Sequence, residues 1–315
     1  MRSIRAVLTG SSLPERLVIR DVDFPAASSS EALVRVKTIS LNRGEVRNIS
    51  TSEAGWRPGW DLAGIIEKEA ADGSGPRAGS RVVGIVHSGA WAEVVAVPTT
   101  QLAEIPDSLA FAEAATLPVA GLTALWTLEL GGLLLDRRVL VTGASGGVGH
   151  FACQLAQQAG AQVIGVVRQP GREATAKAAG ANQVVVSEDL SEAHEFGPYD
   201  LILESVGGRS LASALTLLAP GGKCVTYGVS GSSEATFDVG HFFLTGGVSL
   251  YGFNIFYELS QKSLVEDLGR LVRLIASGQL HPHIAIEASW TQIGEVAQQL
   301  LNRQFIGKAI LYVSS

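Results

Sequence analysis

The stretch Arg138-Val139-Leu140-Val141-Thr142-Gly143-Ala144-Ser145-Gly146-Gly147-Val148-Gly149 joins three signals in a fixed order. Val139 to Val141 are aliphatic and lead straight into glycines, as in a buried parallel strand that ends in a tight turn. From His150 onward Phe151, Leu155 and Ala159 recur on one helical face. Strand, glycine turn and helix start in that order form a cradle for a pyrophosphate. Glycines let the backbone approach the ligand, and the free N–H groups of the first helical turn face its negative charge. Gly143, Ser145, Gly146, Gly147, Val148 and Gly149 are therefore the expected cradle residues. A second strand, Val163 to Val167, follows soon after Gly160, which completes a βαβ unit of dinucleotide-binding length.

Working outward, the chain has 315 residues, 46% of them hydrophobic and 17% charged, which supports sizeable cores and argues against disorder. Two domains of ordinary size are expected. The net charge of −6 gives no attraction to nucleic acid or to an anionic membrane surface. No apolar run has the length of a membrane span, and the first residues lack a signal-peptide core, so a cytoplasmic protein is expected. The two cysteines, Cys153 and Cys224, read as small buried residues of a reducing compartment.

Residues up to about 110 read as short strands with turn signals between them, consistent with a compact β-barrel-like domain. Val34 and Val36 alternate with Arg35 and Lys37, and further strands are expected over 62–68, 81–86 and 91–97. Residues 109–130 read as helix, interrupted at Pro118 and Gly121. Beyond Arg138, strands at 139–142, 163–167, 183–186, 201–204 and 223–227 alternate with helices near 147–158, 172–179 and 210–218. That is a doubly wound parallel sheet. Residues 230–247 read as loop, 249–253 as a last strand, 260–277 as an amphipathic helix, and 284–315 as strands around a helix.

The end of the second parallel strand distinguishes the two nicotinamide dinucleotides. An Asp or Glu there would hold a ribose 2′-hydroxyl. Here the strand runs into Arg168, with Arg172 close behind, and a guanidinium can bind a 2′-phosphate through charge-assisted hydrogen bonds. NADPH is the expected cofactor. The glycine motif also fits short-chain dehydrogenases, but the residues four after Tyr199, Tyr227, Tyr251 and Tyr257 are Leu203, Gly231, Ile255 and Gln261. With no lysine placed to lower a tyrosine's pKa, that reading is rejected.

Several further stretches occur in a characteristic order: Ser40-Leu41-Asn42-Arg43-Gly44-Glu45, Pro58-Gly59-Trp60-Asp61-Leu62-Ala63-Gly64, Gly79 to Gly84, Ala90-Trp91-Ala92-Glu93, Ala114 to Pro118, Gly121 to Ala124 and Gly307-Lys308-Ala309-Ile310-Leu311. With the glycine loop, they make the chain resemble the medium-chain dehydrogenase/reductases, in their zinc-independent quinone oxidoreductase-like branch. The resemblance implies an α/β protein: a GroES-like β-barrel catalytic domain from residues 1–115 and 255–315, and a Rossmann domain from 116–254. It implies cofactor contacts from Asn42, Thr123, Tyr227, Gly228, Phe253, Asn254 and Lys308. At the three positions where zinc-using relatives carry ligands it places Asn42, Trp60 and Ala120, none a plausible zinc ligand, and His281-x-His283 reads as a solvated loop. Without a metal to polarise an alcohol, the fitting reaction is hydride transfer to a quinone or an α,β-unsaturated carbonyl. Asn42 and Arg43 are the expected catalytic residues, on the floor of a cleft between the domains walled by Trp56 or Trp60. Alternatives are an enoyl reductase of carrier- or CoA-bound substrates and a non-catalytic NADPH-binding protein. The resemblance further implies a homodimer joined along the strand at 249–253.

Overall fold

A computed structural model describes residues 3–10 and 16–313. The chain begins with β1 (Ser3–Thr9), β2 (Leu17–Asp23), β3 (Glu31–Leu41), α1 (Arg43–Ile49), β4 (Asp61–Lys68), β5 (Arg81–Ile85), β6 (Val94–Pro98) and β7 (Leu102–Glu104). There follow α2 (Phe111–Ala115), a π-helical turn (Leu117–Gly121) and α3 (Leu122–Glu129). The middle alternates β8 (Arg138–Thr142), α4 (Gly147–Gln158), β9 (Gln162–Val167), α5 (Glu173–Ala178), β10 (Gln183–Val186), β11 (Tyr199–Glu204), α6 (Gly208–Thr216) and β12 (Leu218–Thr226). Then come α7 (Val239–Thr245), β13 (Ser249–Gly252), α8 (Ile255–Glu258), α9 (Leu264–Ala276), β14 (Ile284–Ser289), α10 (Ile293–Leu301) and β15 (Lys308–Tyr312). The chain divides into two compact units, Met1–Leu122 with Gln261–Ser315, and Thr123–Ser260.

The first unit is built from both ends of the chain. Its main sheet runs β14-β15-β3-β4-β5-β7, with β6 also paired to β3, and β1 and β2 form a separate antiparallel pair. The alternation read along β3 is real: Val34 and Val36 are buried while Lys37 is exposed, and Arg35 reaches across to Glu67 on β4. β15 joins β3 antiparallel, Ala309 opposite Leu41, and this pairing carries the chain terminus into the first sheet. Arg81 stacks its guanidinium 4.3 Å from the Phe111 ring and donates to the carbonyls of Pro106 and Leu109, which fixes the entry to α2. The expected break at Pro118 takes the form of the π-turn. Proline has no N–H to continue an α-helical ladder, and the next N–H, on Val119, donates to the Asp61 carboxylate at 3.0 Å.

The second unit is a six-stranded parallel sheet in the order β10-β9-β8-β11-β12-β13. Its central strands are buried: Val139 to Val141, Val163, Ile164, Leu201 to Leu203, Cys224 and Val225 are nearly solvent-free. That explains their unbroken apolar runs. Both cysteines are free and buried, and burial pushes the Cys153 thiol up to about 12.

Two local expectations need correction. Residues 230–247 are not all loop, because α7 occupies Val239–Thr245. Asp238 caps it by accepting the His241 N–H, and Gly246 ends it at positive φ. Phe243 and Leu244 are 78% and 80% exposed and only Phe242 packs on the core, so no repeating core-facing stripe marked it as a helix. β12 starts at Leu218 instead of Lys223, running through Pro220-Gly221-Gly222 with a shift of register against β11.

Candidate functional site

In the second unit, the strand order reverses between β8 and β11, and the loops after these strands lie side by side at their carboxyl ends. Such a switch point is where open α/β sheets bind ligands. Thr142 and Ser205 tie the two loops together. The Ser205 N–H donates to Thr142 Oγ1 at 2.8 Å, and the two hydroxyl oxygens lie 3.0 Å apart. Gly143 has φ of +62°, and its carbonyl accepts the Gly146 N–H at 2.8 Å. A side chain at Gly149 would collide with that same carbonyl, so glycine is required there for the turn to fold onto α4. Gly146 is the N-cap of α4, and the N–H groups of Gly147, Val148 and Gly149 open the helix without intrahelical acceptors. Ser145 is buried beside them. This donor set fits a pyrophosphate.

Of the other residues expected at this site, Arg168, Tyr227 and Phe253 directly follow strands of the same sheet. Arg168 directly follows β9 and is exposed, and Arg172 is the N-cap residue of α5. Tyr227 follows β12, its hydroxyl directed at the Thr142 carbonyl at 3.4 Å, and burial raises its pKa. Gly228 passes so close to Ser205 that a Cβ would meet its carbonyl oxygen at 3.2 Å. Phe253 is buried, and Asn254 uses Oδ1 to cap α8 by accepting the N–H groups of Phe256 and Tyr257. Thr123 is buried in α3. Sequence reasoning missed Glu204, at the end of β11. Its carboxylate accepts the Val206 and Gly207 N–H groups and the Ser210 hydroxyl, and so anchors the start of α6.

In the first unit, Asn42, the N-cap residue of α1, sits in a buried ionic cluster with Glu45, Asp61 and Lys308. Lys308 is 4% exposed, and its ammonium donates to the Leu41 carbonyl at 3.1 Å and to Asn42 Oδ1 at 2.6 Å, with Asp61 at 3.6 Å. Asn42 Nδ2 donates to Asp61 at 2.7 Å and to Glu45 at 3.1 Å. Glu45 also accepts the backbone N–H groups of Asn42 and Trp60, the first being the carboxylate half of a capping box. Burial above all, then the charge of Asp61, pushes the Glu45 carboxyl well up. Burial likewise raises Asp61 and lowers Lys308, each opposed by the partner's charge. Asp61 and Glu45 were overlooked beside their neighbours Trp60 and Asn42, although Asn42-x-x-Glu45 has the spacing of a helix-start signature.

Trp60 packs its indole over Gly44 and is half-buried, while Trp56 is partly buried against the core of the unit. Arg43 reaches the Leu301 carbonyl at 3.4 Å, at the end of α10. Asn42, Trp60 and Ala120, the positions that the resemblance sets against the ligands of zinc-using relatives, present an amide already bonded to Lys308, an indole and a methyl group. That donor chemistry does not fit zinc. Among the described residues no three His, Cys, Asp or Glu side chains gather as a metal-ligand set. His283 packs against Gly307, and its carbonyl accepts the Lys308 N–H.

Residues 28–107 match the family model described as alcohol dehydrogenase GroES-like domain, and residues 147–276 the one described as zinc-binding dehydrogenase. The chain belongs to the medium-chain dehydrogenase/reductase superfamily. Within that superfamily it is quinone oxidoreductase-like. It is 28% identical to the quinone oxidoreductase of Homo sapiens, over 74% of this chain and 75% of that protein. It is 27% identical to the synaptic vesicle membrane protein VAT-1 homolog of Danio rerio, over 91% of this chain and 65% of that protein's length. Among solved structures, the quinone oxidoreductase of Pseudomonas syringae pv. tomato DC3000 superposes with a TM-score of 0.87 at 26% identity, covering 98% of this chain and 100% of the other. Among the described residues no helix is long and apolar enough to cross a membrane.

Proposed function

We propose that this medium-chain dehydrogenase/reductase is an NADPH-dependent oxidoreductase that reduces a quinone or an α,β-unsaturated carbonyl without a metal. The reading is carried by the strand ends of the second unit, where a glycine cradle lies on β8 and an exposed arginine, not a carboxylate, ends the adjacent β9. The bound nicotinamide supplies the hydride. The α4 N-terminus holds the pyrophosphate, and Arg168, with Arg172, holds the 2′-phosphate. Tyr227, Gly228 and Phe253 shape the surface next to the cradle, and Asn254 and Thr123 add polar edges. Asn42 lies at the reacting end, with Lys308 acting through it, and the half-buried Trp60 offers an aromatic wall to a flat acceptor. Arg43 belongs beside Asn42 on the floor in this reading, and Trp56 is the other candidate wall. A quinone or enone is already electron-poor and needs no Lewis acid to accept hydride, which agrees with a site whose donor groups do not suit zinc.

The test is NADPH consumption with a panel of ortho- and para-quinones, enals and enones. Turnover with a simple quinone is expected. NADPH binding with no turnover across the panel would turn the reading toward a non-catalytic cofactor-binding protein, and turnover confined to CoA- or carrier-linked enoyl substrates toward an enoyl reductase.

A further inference from the structure

We infer that Asn42 meets its ligand only as a hydrogen-bond acceptor, because Lys308, Asp61 and Glu45 hold its amide in one orientation. The inference rests on the proposed placing of Asn42 at the reacting end. An asparagine amide has two donor hydrogens and two acceptor lone pairs. Both hydrogens are taken, one by Asp61 at 2.7 Å and one by Glu45 at 3.1 Å. One lone pair is taken by the Lys308 ammonium at 2.6 Å. Turning the amide over would set Nδ2 against an ammonium and Oδ1 against two carboxylates, so the network admits one orientation. Asn42 is nevertheless not fully buried, and what remains for a ligand is a single lone pair on Oδ1.

The partner of that lone pair must carry a hydrogen, a hydroxyl or an amide N–H. A quinone or enone oxygen cannot be it, so Asn42 does not polarise the acceptor. Lys308, Asp61 and Glu45 are then positioning residues. Buried ion pairs add little stability over apolar substitutes; what this one imposes is an orientation.

Hydrogen exchange of the Asn42 side-chain amide, measured by NMR without any ligand, reads the lock directly. Exchange at least about tenfold slower than at the exposed Asn302 amide is expected, rising to the Asn302 rate in Lys308→Met. Equal rates in the unmodified protein would overturn the inference. Kinetics with a quinone acceptor read the consequence. Asn42→Ala should lower kcat/KM about tenfold. Asn42→Asp, which sets a third carboxylate beside Glu45 and Asp61, should lower it further. Adding Asp61→Asn to Asn42→Asp restores the charge count and keeps an acceptor at position 42, and should bring kcat/KM back above that of Asn42→Ala. A folded double variant that stays below Asn42→Ala would show that the ligand needs a donor. Should the double variant not fold, Lys308→Met decides. A loss of kcat/KM as large as that of Asn42→Ala supports the inference, and an unchanged value overturns it. Absence of turnover in the unmodified protein would sink the oxidoreductase reading instead, and the ligand-free exchange rates would still judge the lock.

Discussion

Arg168 stands one residue past the end of β9, exposed, on the strand paired with the one that carries the glycine cradle. Removing one charge-assisted hydrogen bond costs about 1.5–3 kcal/mol, which is roughly ten- to a hundredfold in affinity. Arg168→Ala should weaken NADPH by that factor and leave NADH nearly untouched, since NADH has no 2′-phosphate to lose. Arg168→Asp should go further and favour NADH, because a carboxylate repels the phosphate and accepts from the ribose hydroxyl. The two dissociation constants, measured by fluorescence titration of each protein, check this. Equal losses for both cofactors would mean that Arg168 contacts something other than the phosphate.

At the scale of the element, α1 begins on a carboxylate that water does not reach. Glu45 is fully buried, and burial first and Asp61 second raise its pKa above the ordinary value of 4.5. A carboxyl whose folded-state pKa is raised contributes stability that is full below the unfolded value and is lost as pH rises through the folded one. The stability advantage of the unmodified protein over Glu45→Gln should therefore be greatest near pH 4.5 and shrink toward neutral pH. Urea unfolding of both proteins across that range measures it. An advantage that grows with pH would mean that the N–H donors on Glu45 outweigh its burial.

At the scale of the whole molecule, β13 ends the parallel sheet, and among the described residues it pairs only with β12. A bare edge invites another strand, and Phe243 and Leu244 of the preceding α7 are exposed. We expect a homodimer in which β13 pairs with its copy about a two-fold axis. Light scattering should give twice the chain mass of 33.0 kDa. Phe243→Asp with Leu244→Asp should shift the equilibrium to monomer, and a monomeric unmodified protein at micromolar concentration would refute the pairing. Elemental analysis should find no stoichiometric zinc, and chelators should leave turnover unchanged. One zinc per chain would refute the metal-free reading.

Residues 138–149 by themselves determined the parallel sheet and the cradle, because a strand, a glycine turn and a helix start are local signals, each set by neighbours within a few residues. The same holds for the place of Arg168, exposed directly after β9, and for α9, whose buried Leu264, Leu268 and Leu271 follow the helical period. α7 was not legible, because of its larger apolar side chains only Phe242 packs on the core while Val239, Phe243 and Leu244 are exposed, and periodicity reports only faces that bury. The ionic cluster was not legible either. Asn42 and Glu45 are three residues apart, but Asp61 and Lys308 reach them only through the pairing of β3 with β4 and with β15. Those pairings bring residues 42 and 308 within hydrogen-bonding distance. Charges so far apart in the chain reveal their partners only after the sheet has set its register, so the orientation of Asn42 was decided by the tertiary structure alone.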